Sequence, residues 1–163
     1  MSDVIGVDPA PGDEVIAAIE RTLSLAQTWV LWDGRACLAD DRIRIYTPHK
    51  AIRRTADHLI DHIAEVEALL GSVPTIPDHW HASGLTLDGD WARFTEADLN
   101  EAQERLRRLA SILALLLRAA GPDEWDRPRG ENQTLRQIAE HVGTAWYAEQ
   151  VGALHGRAQP QAT

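Results

Sequence analysis

Two of the seven histidines in this chain, His58 and His62, stand four residues apart within IRRTADHLIDH, residues Ile52 to His62. On a helix of 3.6 residues per turn such a pair projects to one side, ~6 Å apart along the axis, so both imidazoles can reach one metal ion. The chain then repeats the pattern. Leu135 to Ala145 reads LRQIAEHVGTA: a branched apolar residue, Arg, a variable position, Thr or Ile, Ala, an acid, His, and Leu or Val. His58 falls on His141, whereas His62 falls on Ala145. If two helices carrying this repeat face each other, His58, His62 and His141 converge. Three neutral imidazoles suit zinc, nickel, iron or cobalt and leave a coordination position open to water or substrate. Asp57, Asp61 and Glu140 adjoin these histidines and are candidates to orient the rings, although an adjacent residue points to another side of the helix. The same spacing is also compatible with histidines that only hydrogen-bond a neighbouring helix.

Other reactive side chains carry weaker patterns. His79 and His81 flank Trp80 in a loop, and a solvated loop explains them as well as a ligand pair does. His49 lies just inside a helix start and reads as a local cap or surface group, and His155 sits in the tail. Cys37, the single cysteine, excludes an intramolecular disulfide and fits a reducing compartment; with no base in its neighbourhood it reads as a passive thiol. Trp29 and Trp32 read as core or contact residues. No phosphate-binding glycine loop, serine elbow or CxxC occurs.

The elements that must position the histidines are helices. Residues 1–12 hold two prolines and no period, and are expected to be a flexible tail. From Asp13, Val15, Ile19, Leu23, Ala26 and Val30 recur at helical spacing, and Asp33-Gly34 should end this first helix. DRIRIY, residues 41–46, alternates as a short strand would. Thr47-Pro48 opens the second helix, which the stripe Ile52, Thr55, Leu59, His62, Val66 and Leu69 carries to about Leu70, with Gly71 beyond. Residues 72–94 form a connection long enough to cross the bundle, so that helices two and three run parallel. Thr95 to Asp98 caps the third helix, whose stripe is Leu99, Ala102, Leu106, Leu109, Leu113, Leu116 and Ala120. Gly121-Pro122 stops it. Asn132 or Thr134 caps a fourth helix with the stripe Leu135, Ile138, Val142 and Ala145, ending near Gly152. Residues 154–163 are expected to be a second flexible tail. The fold class is therefore all-α: one domain over residues 13–153, a four-helix bundle with a long crossover between helices two and three.

The net charge of −9 argues against a nucleic-acid partner, and Lys50 is the lone lysine among sixteen basic residues that lie scattered among acids. No apolar run approaches the ~20 residues that span a bilayer, and no signal-like segment opens the chain. A cytoplasmic protein without membrane contact is the expectation.

The mid-helix His58, the downstream TLRQIAEHV segment around His141 and the aromatic stretch WYAEQVG together resemble the DinB-like superfamily, over roughly residues 13–153. The resemblance implies a bundle with a long crossover and a three-histidine metal site, one ligand from helix two and an HxxxH pair from helix four. It further implies, in members with known activity, metal-dependent transfer or isomerisation using low-molecular-weight thiols such as bacillithiol or mycothiol. His58 and His141 fall on the family's pattern; Ala145 replaces its last histidine, and His62 is offered on helix two instead. The divalent metal expected is zinc or nickel, and the GC-rich flavour of the composition favours mycothiol by association. Two functional readings follow. One is a metal-dependent thiol S-transferase or hydrolase acting on a small electrophilic substrate. The other is a non-catalytic stress-response or ligand-binding helical module with structural histidines. A homodimer is compatible with both.

Overall fold

Three helix starts written in the sequence are the ones the chain uses. The hydroxyls of Thr47, Thr95 and Thr134 accept the backbone N–H groups of Lys50, Asp98 and Gln137. The side chains of Asp98 and Gln137 return the bond to the cap residue's own N–H. Each such cap contributes about 1 kcal/mol by satisfying donors that the first turn leaves open.

The computed structural model describes residues 10–76 and 81–155, which fold as an all-α protein with one small hairpin. The helices are α1 (Pro11–Ala26), α2 (Pro48–Leu70), α3 (His81–Gly84), α4 (Glu96–Ala120), α5 (Pro122–Trp125), α6 (Leu135–Val142) and α7 (Trp146–Val151). The strands β1 (Cys37–Leu38) and β2 (Ile45–Tyr46) pair antiparallel, with Cys37 opposite Tyr46. Among the described residues no helix is long and apolar enough to cross a membrane.

α1 and α2 each pack against α4 on one side and against α6 and α7 on the other. Contacts fix the directions. Asp13 and Glu20 of α1 pair with Arg118 and Arg107 of α4, so these two helices run antiparallel. At the first turns of α2 and α4, His49 lies against Phe94 and Asp98, so these two helices begin at the same end. The connection after α2 therefore crosses back to the start of α2, as its length predicts. Arg53 latches it there. The guanidinium donates to the Asp90 carboxylate at 3.1 and 2.7 Å and to the carbonyls of Ser83 and Leu85 at 3.0 and 2.8 Å.

Several boundaries depart from expectation. α1 starts at Pro11, two residues early, because Gly12 is buried against Ala114; a Cβ there would come within 2.7 Å of the Ala114 Cα. It ends at Ala26 instead of continuing to Asp33. Trp29 turns into the core and its indole donates to the Gly152 carbonyl at 2.8 Å, which a continued helix would not permit. Of residues 41–46 only Ile45 and Tyr46 are strand. The buried seam of α4 is Ala102, Leu106, Ala110, Leu113, Ala114 and Leu117, so Leu109 and Leu116 flank it. Leu154, expected in the tail, packs on the core and its N–H donates to the Thr28 hydroxyl.

The largest correction concerns the fourth helix, which is broken at Gly143–Ala145 into α6 and α7. Gly143 closes on the Ala139 carbonyl, and a Cβ there would lie 2.9 Å from that oxygen and 3.2 Å from the Glu14 Cβ of α1. The tighter of the two contacts is with the chain's own Ala139 carbonyl, with the Glu14 side chain of α1 just beyond it, and Gly143 keeps a negative φ of −69°.

Candidate metal centre

α2 is uninterrupted from Pro48 to Leu70, so its i, i+4 geometry holds: the His58 and His62 ring centroids are 4.6 Å apart. His141, on the last turn of α6, lies 4.9 Å from His58 and 5.1 Å from His62. One ring nitrogen from each residue falls within 4.8 Å of the others. Around a tetrahedral zinc with Zn–N bonds of ~2.0–2.1 Å, ligand nitrogens stand roughly 3.4 Å apart. From 4.8 Å the nitrogens would have to close by roughly 1.4 Å to reach that spacing, and the chemistry of the donor set suits a borderline divalent ion.

His62 is 9 % exposed and its Nδ1 meets the Glu65 carboxylate at 2.6 Å. A carboxylate can only accept, so Nδ1 carries the proton, and in the neutral ring Nε2 is the atom with a lone pair for a ligand role. Burial, and then the neighbouring His62, hold His141 below the ordinary imidazole pKa, while Glu65 opposes this. His141 is the exposed member of the three.

Two of the acids singled out beside the histidines, Asp57 and Glu140, are placed away from the rings. Asp57 accepts the Ser83 hydroxyl and faces Arg53 at 3.8 Å, tying the crossover to α2. Glu140 is exposed. An acid that does hold one of the three rings is Glu65, one turn after His62; its i+3 spacing was the signal that could have found it.

The cluster opens on a cavity of about 430 Å³ lined by Arg44, His58, His141, Thr144, Trp146, Tyr147 and Glu149. The helix break builds much of it, since α7 restarts at Trp146 and returns that ring and Tyr147 towards α2. Tyr147 stands edge-on to His58 at 5.7 Å, and its hydroxyl accepts from Arg54 at 3.0 Å. The β1–β2 hairpin supplies Arg44 and is docked on α7 through reciprocal bonds between Asp40 and Gln150.

Ala145, the counterpart of His62 in the repeat, does not face this cavity. It lines a groove along α1 with Glu14, Ala17, Ala18 and Arg21. His49 donates through Nε2 to the Arg93 carbonyl at 3.3 Å, as a local connector of α2 and α4. His155 is exposed, and His81 begins α3. His79 lies outside the described residues. Cys37 is half-buried, and burial followed by Asp33 pushes its thiol pKa up, opposite to what a nucleophile needs. No known protein family, curated protein or solved structure matches this chain.

Proposed function

We propose that the chain is a metal-dependent enzyme of the DinB-like kind, a helical bundle in which His58, His62 and His141 hold one divalent ion, zinc or nickel. The observation that carries this reading is the convergence of three imidazoles from two distant segments, with Glu65 fixing the tautomer of the most buried one. The repeat around His58 and His141 supports the family assignment, with His62 taking the place of the histidine absent at Ala145. A divalent ion in such a site lowers the pKa of a bound thiol or water towards neutrality.

The chain's own residues supply the setting. Glu65 holds the His62 ring with Nε2 as the donor atom. Trp146 and Tyr147 wall the cavity, which has room for a small molecule and none for a macromolecule. The reaction we assign is S-transfer or hydrolysis on a small electrophile, with mycothiol or another low-molecular-weight thiol as co-substrate. The test is consumption of thiol with 1-chloro-2,4-dinitrobenzene by zinc-loaded and nickel-loaded protein. Turnover should need the metal and vanish in His58→Ala. Equal rates in loaded and chelated protein would contradict the reading. Absence of both turnover and metal uptake would leave a non-catalytic module with structural histidines.

A further inference from the structure

The histidine cavity has one arginine and one glutamate in its lining, Arg44 and Glu149. Arg44 lines it with its guanidinium 4.6 Å above the Trp146 ring, and its Nε donates to Asp41. Asp41 is itself fixed by the backbone N–H groups of Ile43 and Arg44, both at 2.9 Å. Ring and carboxylate together hold the guanidinium in place. Its two Nη groups make no hydrogen bond among the described residues, which leaves one edge of the fork ready for a planar acceptor. Glu149, the acid in the lining, is already paired with Arg21 at 2.6 Å.

A second cation backs the aromatic wall. Arg54 lies 4.9 Å from the centre of the Tyr147 ring and donates to its hydroxyl. It has no carboxylate partner among the described residues, and its Nε is buried without a hydrogen-bond partner.

We propose that this cavity takes a small molecule bearing a carboxylate beside a flat apolar body, with Arg44 as the anchor for the carboxylate and Trp146 and Tyr147 as the shelf for the body. The proposal rests on the cavity assigned above as the substrate site, and it defines that substrate's class. A volume of about 430 Å³ lies at the lower end of the roughly 300–1,000 Å³ of ligand pockets, in keeping with a compact acid.

The test is calorimetric titration of the full chain with benzoate, and with benzamide as its neutral counterpart, in chelator-treated and zinc-loaded protein. Benzoate should bind, and Arg44→Gln should weaken it about 10-fold or more in both forms, since a charge-assisted contact is lost. Arg44→Lys, which keeps the charge and removes the fork, should fall between. Benzamide should bind more weakly than benzoate and be indifferent to either change. Equal benzoate affinity in wild type and Arg44→Gln overturns the proposal, as does benzamide binding as tightly as benzoate, or no benzoate binding at all. Melting curves of both variants establish that they are folded. Failure of zinc uptake with Arg44-dependent benzoate binding intact would sink the metal reading alone; zinc uptake with Arg44-independent binding would sink this one alone.

Discussion

The two copies of the repeat begin alike and end differently. Ile52, Thr55, Ala56 and Leu59 are buried in the first copy, and their counterparts Leu135, Ile138, Ala139 and Val142 are buried in the second. Even the shared arginine has the same job. Arg53 grips Asp90 of the crossover, and Arg136 grips Asp126 of the loop before α6 with two bonds of 2.9 and 3.1 Å. Then the copies part. α2 continues through Ile60 and Asp61, which keeps His62 in register below His58 and brings Glu65 onto it. α6 stops at Gly143, so the second copy offers one histidine and sends the chain back as α7 to wall the cavity. One pattern thus yields a histidine pair on one face where the helix persists, and a third histidine plus a pocket where it breaks.

Sharpening that contrast starts with the largest effect. His62→Ala should reduce zinc affinity by more than the roughly 100-fold that bounds changes behind the ligands. Adding Ala145→His to it should restore nothing, because residue 145 faces the α1 groove; competition with a metallochromic chelator reads both. Rescue by the double variant would mean that the two copies are interchangeable, against the helix break.

The two arginine latches separate next. Arg53→Ala leaves Asp90 buried and unpaired, with its side chain only 5 % exposed. The cost should be about 3 kcal/mol, the lower end of what breaking a buried pair removes. Arg136→Ala faces an Asp126 that is 63 % exposed and should cost less than about 1 kcal/mol. Urea melts of both variants decide it, and equal losses would deny the difference in burial.

Glu65→Gln should weaken zinc binding about 10-fold to 100-fold with the melt in the absence of metal little changed. The smallest effect is in acid. Burial raises the Asp90 pKa, but the Arg53 hydrogen bonds and the Leu87 N–H outweigh it and hold the group below its ordinary 3.8. Folding therefore favours the ionised form. That contribution is complete above pH 3.8 and drains away as pH falls through the lower folded value, so Asp90→Asn should flatten the acid limb of the stability profile.

Much of this arrangement is legible in the residues. The caps at Thr47, Thr95 and Thr134 are local chemistry and read directly. The i, i+4 pair follows from helix geometry, and the meeting with His141 follows from the repeat once its buried face is recognised. The break at Gly143 is not legible in the same way, because the apolar stripe runs on through Val142 to Ala145, both buried. The packing of Gly143 between the Ala139 carbonyl and Glu14 of α1 is visible only in three dimensions. Glu65 was hidden for a simpler reason: neighbours in sequence drew notice, whereas a helix places the residue three positions on beside the ring. Arg44 belongs to a hairpin whose docking on α7 rests on Asp40 and Gln150, 110 residues apart, and no local pattern encodes that contact.

The central claim is that one divalent ion sits among His58, His62 and His141. Elemental analysis of protein purified without an affinity tag tests it most directly. About one zinc or nickel per chain, absent from folded His58→Ala and His141→Ala, is the result predicted. Metal-free protein that gains no thermal stability from added zinc or nickel would contradict it.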